Sequence, residues 1–271
     1  MKIMTHVLAV GIAIMLPTMA LADPAAGLLG TAHDFASASS GFLATQNAVG
    51  KTSATPTTTA NTVGLCSYCH TPHSAISTSL LWNHKLSANT FTWDDATTTG
   101  GTNYARMGPT YKGPTVKCLS CHDGSVAIGD VSIYKQRLNS AFQWNTFKVG
   151  STGNPTVIGA AGNMSGNHPV GMPYPFGNAG GTYNGATTGP TVDLTEFVAD
   201  PTASATAKIK LYNDNGTGVI TSGTNAGATG LECSSCHDPH NKSTVDDLFL
   251  RGKINGNNVA SGYICVQCHI K

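Results

Sequence analysis

Two thiols separated by two residues and followed at once by an imidazole occur four times in this chain. They are Cys66/Cys69/His70, Cys118/Cys121/His122, Cys233/Cys236/His237 and Cys265/Cys268/His269. C-x-x-C-H is the pattern by which a porphyrin is held covalently: both sulfurs add to its vinyl groups and the histidine falls beneath the iron as proximal ligand. All eight cysteines are used in this way. Zinc is the competing chemistry, because C-x-x-C pairs also build four-cysteine ribbons. A ribbon, however, gives no reason for a histidine at the same offset four times, and neither does a disulfide framework. The motifs are therefore read as attachment points for four covalently bound haem c groups.

Each iron takes a second axial ligand. Beyond the four proximal histidines and His6, the chain holds His33, His73, His84, His168 and His240. Four of these, His33, His73, His168 and His240, are the expected distal ligands, with His84 as the alternative or spare imidazole, placed to hydrogen-bond a haem propionate. His73 and His240 each follow a proximal histidine by three residues, too few to carry a ring round the porphyrin, so each is expected on a neighbouring iron. His168 lies in Asn167-His168-Pro169-Val170-Gly171-Met172-Pro173. The proline after it favours extended backbone and a stiff loop. Met164 and Met172 are competing axial ligands whose use would raise the potential.

The elements that must position these groups are sparse. Only 11% of residues are charged and the net charge is +1, which leaves no electrostatic footprint for nucleic acid. Gly contributes 31 of 271 residues, so the backbone entropy opposing folding is high and large apolar side chains are few. The expected fold is mostly irregular coil with short helices and a few short strands, wrapped around a stacked chain of haems that forms the core. Residues 1–22 read as a signal peptide, with a basic start, an apolar run from Val7 to Met15 and small residues at Ala20-Leu21-Ala22. Residues 23–271 read as one domain, beginning with an N-terminal arm and Thr-rich link at 23–65. No transmembrane segment is expected in the mature chain. Trp93, Tyr104 and Tyr111 are expected as walls of haem faces, and the Gly-Pro pairs at 108–109 and 113–114 as turns. A short helix is expected over 126–138, a half-buried strand over 208–212 and a two-turn helix over 245–253. Turns and short strands should fill the long interval between His122 and Cys233.

The ordered set His33-Asp34-Phe35, Cys66-x-x-Cys69-His70-Thr71-Pro72-His73, Leu81-Trp82-Asn83, Cys118-Leu119-Ser120-Cys121-His122-Asp123-Gly124, His168-Pro169-Val170, Cys233-x-x-Cys236-His237-Asp238-Pro239-His240 and Cys265-x-x-Cys268-His269 spans most of the mature sequence. It resembles the tetrahaem extracellular c-type cytochromes of metal-reducing bacteria, of the OmcE type. The resemblance implies an exported subunit that polymerises through head-to-tail contacts into a filament with a continuous haem stack. The partners it implies are further copies, other cytochromes and external electron acceptors.

Six-coordinate bis-histidine haem offers no open face to a substrate, so the expected role is electron transfer and not catalysis. A soluble periplasmic shuttle is the alternative; a multihaem oxyanion reductase would need an iron with a vacant face, and all four motifs end in histidine. His33, early in the arm, is expected either on its own chain or reaching across to the next subunit.

Overall fold

The computed structural model describes residues 24–29, 31–35, 65–76, 79–93, 107–108, 110–133, 148–150, 157–188 and 192–270. The expected signal peptide, most of the arm and link, and Tyr104 lie outside these residues. Among the described residues no helix is long and apolar enough to cross a membrane.

Coil and turns dominate. Helix α1, Thr115–His122, carries the second cysteine motif. Pro114 occupies its N-cap with φ −67°, where a ring locked near that angle and the lack of an N–H cost nothing. Gly124 at φ +70° turns the chain away past its C-terminal end. The third motif forms the single turn α2, Cys233–Cys236, and the first and fourth form 3-10 turns at Leu65–Tyr68 and Cys265–Gln267.

The interval between the second and third motifs holds short antiparallel strands. β1 (Met172–Pro173), β6 (Thr229–Leu231), β4 (Tyr212–Asp214) and β5 (Ile220–Ser222) make a sheet in that order, and β2 (Thr182–Tyr183) pairs with β3 (Ala186–Thr187) as a hairpin. The hairpin packs Tyr183 over Gly230 on β6, where a Cβ would lie 2.4 Å from the Tyr183 ring. This contact requires glycine.

The strand expected over 208–212 is only partly paired. Ala207, Ile209 and Leu211 are buried, and Lys208 is exposed with Lys210 half-buried, but ladder pairing begins at Tyr212. Before it, Lys208 and Lys210 donate backbone bonds to Arg251 in a loop and Ser235 in α2. Neither expected helix forms in the described residues. Residues 124–133 are bends and turns ending in a bridge at Val131, and 245–253 is a turn between bridges at Asp246, Leu250 and Lys253. Phe91, Met107, Leu119, Met164, Tyr183 and Tyr212 belong to one large cluster built of polypeptide. Trp93 and Tyr111 sit in this cluster too. Burial of such side chains at roughly 25 cal/mol per Å² supplies stability independent of any cofactor.

The first and third motifs open two copies of one backbone unit, 66–83 and 233–251. In the first, His70 donates to Cys66 O, Thr71 to Leu81 O and Asn83 to Cys69 O. In the second, His237 donates to Cys233 O, Asp238 to Phe249 O and Arg251 to Cys236 O. Left-handed residues match as well: Ser74 with Asn241, Leu80 with Leu248, Leu81 with Phe249. Leucine and phenylalanine rarely adopt this conformation. Here it is what returns the chain to pair with the motif it has just left, at His70↔Trp82 and His237↔Leu250. The same requirement explains why 245–253 is not helical.

Candidate haem sites

Three imidazole pairs join motif histidines to distant ones. His122 faces His33 with ring centroids 6.0 Å apart, His70 faces His240 at 6.1 Å, and His269 faces His168 at 6.3 Å. Two nitrogen–metal bonds of about 2 Å placed back to back, plus the ring radii, put trans imidazoles roughly 6 Å apart from centre to centre. The three pairs therefore have the spacing of axial ligands on a shared iron. His240 stands against the histidine of the first motif and not against His237 in its own.

The free nitrogens are set by backbone carbonyls. A carbonyl only accepts, so the ring nitrogen facing it carries the proton, and the other nitrogen keeps its lone pair. Nδ1 of His70 donates to Leu80 O (2.6 Å), Nδ1 of His237 to Leu248 O (2.9 Å) and Nδ1 of His168 to Pro169 O (2.9 Å). The left-handed leucines thus have a purpose: each aims its carbonyl at a motif histidine and leaves Nε2 with its lone pair, the support that metal-bound histidines ordinarily receive. Burial, followed by the neighbouring His33 and His237, pushes His122 down to about 4, which keeps it in the neutral form that binds metal.

His84 differs from all of these. It is 2% exposed, and its two nitrogens face two carbonyls, Lys85 O and Ala127 O, both at 2.9 Å. A neutral imidazole carries one proton, so one nitrogen donates to its carbonyl and the other keeps its lone pair, and His84 ties the end of the first unit to the loop after α1.

His33 lies with its own chain. The described part of the arm packs on the second unit: Gly27 exchanges bonds with Asn241, and Ala25 donates to Thr244. The His33 ring stacks on Phe249 at 4.8 Å. The arm has a docking face within the chain, which its small-residue composition did not reveal. Of the competing methionines, Met164 is buried in the apolar cluster against Gly159 and Phe91, and Met172 lies in β1. His73 is exposed beside the first motif.

The motifs touch in sequence order. Cys69 and Cys121 pack on one small cluster with Tyr68 and Ile128. Cys118 lies close enough to Cys233 to raise its thiol pKa, and Cys265 does the same to Cys236. Burial pushes Cys69 and Cys121 up to about 12 and Cys236 up to about 11. The fourth motif is clamped by the long interval: Val198 N–H donates to Cys268 O, Ile270 N–H to Glu196 O, and Tyr174 hydroxyl to Val198 O.

The fit of haem to these residues rests on features of the chain itself. Imidazoles are paired at trans-ligand spacing. Trp82, edge-on to His70 at 5.8 Å, buries its indole N–H without a partner, a donor suited to a carboxylate of a bound group. Leu80, Leu81 and Leu248 present apolar side chains 49–59% exposed beside the motif histidines, surface suited to a porphyrin face. A four-cysteine zinc site fits poorly, because among the described residues no three His, Cys, Asp or Glu side chains cluster as a metal would require.

Comparison with known protein families finds no matching family model, and comparison with curated proteins finds no match.

Proposed function

We propose that this chain is a tetrahaem c-type cytochrome that carries electrons and is not an enzyme. The observation that carries the reading is the set of three imidazole pairs at 6.0, 6.1 and 6.3 Å, each joining a C-x-x-C-H histidine to one remote in sequence. The eight cysteines would hold the porphyrins through thioether bonds. His70, His122, His237 and His269 would be the proximal ligands, with His240, His33, His73 and His168 opposite them in that order. The fourth pairing, His73 with His237, follows from the correspondence of the two units: His240 of one serves His70 of the other, and His73 occupies the same place as His240.

Covalently bound haem supplies a one-electron couple at each site. Histidines on both axial positions hold the sites closed to substrate and set potentials toward the low side of the haem range. Contacts between successive motifs would bring neighbouring redox centres together along the chain. Export through residues 1–22 and assembly into an extracellular filament for delivery to external acceptors complete the proposal, and these rest on the sequence resemblance. A haem assay on the purified secreted protein tests the first part, with four per chain and wholly low-spin spectra expected. A count of two or three, or any high-spin iron in the native protein, would sink it. Electron microscopy tests the second, with filaments expected and discrete particles pointing to a soluble shuttle.

A further inference from the structure

Glu232 immediately precedes Cys233 and is fully buried. Its carboxylate accepts from the Thr115 backbone N–H at 3.0 Å and the Thr115 hydroxyl at 2.5 Å on Oε2. On Oε1 it accepts from the Tyr183 hydroxyl at 2.7 Å and from the Tyr111 hydroxyl. Among the described residues no cation forms an ion pair with it. Lys117, on the same helix as Thr115, faces it electrostatically, but its ammonium donates to the carbonyls of Lys112 and Gly113 at 3.5 Å each. The other titratable groups facing the cage are Tyr212 and Asp214 from β4; the neighbouring Cys118 and Cys233 sulfurs would, as thioethers, have no proton to lose.

The cage has two further properties. It joins two attachment sites, since the Thr115 hydroxyl that donates to Glu232 also accepts from Cys233 N–H at 3.0 Å, and Thr115 lies one helical turn before Cys118. It also reaches solvent, because Tyr111 lines an open pocket with Lys112, Asn184, Asp214 and Ile220. Gly113 makes room for the contact: a Cβ there would lie 2.5 Å from both the Tyr111 hydroxyl and Glu232 Oε1.

A structural carboxylate in such a place is ordinarily paired with a cation, because an isolated buried charge is costly. This one has hydrogen bonds that favour the anion and burial that favours the acid, and the two are opposed at one atom pair. Burial prevails and raises its pKa. We propose that Glu232 is a proton-coupled site: it takes up one proton from solvent through Tyr111 when one electron enters the sites attached at Cys118 and Cys233, and releases it on oxidation. The electron comes from an external one-electron donor. The Tyr111 hydroxyl passes its proton to Oε1 and regains one from the solvent of the pocket, so that one carboxylate becomes one carboxylic acid and the added negative charge is cancelled locally.

The inference rests on the tetrahaem reading for its electron, and the experiment separates the two. Haem content of the full secreted protein is measured first; a chain without four haems fails that reading. The tetrahaem protein is then titrated at an electrode across pH, with reduced-minus-oxidised infrared spectra. A carboxylic acid carbonyl band that appears on reduction and shifts in heavy water is expected. One redox step should fall in potential as pH rises, by up to about 59 mV for each tenfold drop in proton concentration. Glu232→Gln should lose both the band and that slope, while any contribution from haem propionates remains. Tyr111→Phe removes a donor to the anion, so the window of pH dependence should move to higher pH; a merely structural glutamate would show no such movement. If Glu232→Gln does not fold, the wild-type band and the Tyr111→Phe shift still decide. A tetrahaem protein with no carboxyl band on reduction, or a folded Glu232→Gln protein with unchanged slope, overturns the inference.

Discussion

The two units 66–83 and 233–251 share a backbone and differ in how they are fastened. In the second, Asp238 and Arg251 form a buried pair at 3.5 Å, with both side chains 7% exposed, and Arg251 Nε donates to Ser234 O at 3.0 Å. Asp238 also accepts the backbone N–H groups of Lys242 and Ser243, and the N-terminal arm covers the result. The first unit has Thr71 and Asn83 at the matching places. There the fastening is neutral: Asn83 Nδ2 donates to Ser67 O, its Oδ1 accepts from Ile133 N–H, and His84 latches onto Ala127. The shared left-handed residues and carbonyl-to-histidine bonds persist across this change. The part that aims the motif histidine is thus separable from the part that stabilises the loop.

Substitutions that cut one fastening at a time should expose this asymmetry. Arg251→Ala leaves Asp238 buried without its counter-charge and should cost about 3–5 kcal/mol. Asn83→Ala at the equivalent position removes neutral hydrogen bonds and should cost about 1–3 kcal/mol. Denaturant unfolding of the two variants measures the difference, and equal losses would mean that the charged fastening contributes nothing special.

The exchange of histidines between the units gives a second contrast. His240→Met should change the distal ligand of the site attached at Cys66 and Cys69, and His73→Met that of the site attached at Cys233 and Cys236. Site-resolved paramagnetic spectra check this, and a changed ligand at the motif beside the mutated residue would break the correspondence. His33→Ala should disturb neither of these sites. On the proposed tetrahaem reading it should leave one haem high-spin, at the site attached by Cys118 and Cys121, as read by electron paramagnetic resonance.

The smallest expected effect belongs to the latch of the first unit. Burial lowers the His84 pKa against the opposing pull of its two carbonyls. Its folded value therefore lies below the unfolded value near 6.5. The unfolded chain binds the extra proton, so the stabilising contribution is complete above that pH and is lost as pH falls beneath it. The loss is at most about 1.4 kcal/mol per pH unit. His84→Gln should flatten this part of the stability-against-pH curve, measured by unfolding between about pH 7 and about pH 5.

What the sequence determined by itself is local. C-x-x-C-H places thiols and imidazole within five residues, and the three-residue offset of His73 and His240 would keep each from an iron held by the motif beside it whatever the rest of the chain does. The irregular, glycine-rich character was equally legible, and the alternation expected over 208–212 holds as burial from Lys208 to Leu211. The expected helix over 245–253 was not a safe inference, because periodicity there competes with a tertiary demand: Leu248 and Phe249 must turn left-handed to bring their carbonyls to His237 and Asp238. Nor could composition reveal that a small-residue arm would dock on Asn241 and Phe249, or that Glu232 would meet Tyr111, Tyr183 and Thr115. Which distal imidazole faces which motif was likewise decided by the tertiary structure. Pairs such as His70 with His240 join residues whose separation along the chain says nothing of their separation in space, and only the packing of the two units, the arm and the long central interval brings them within ring-to-ring reach.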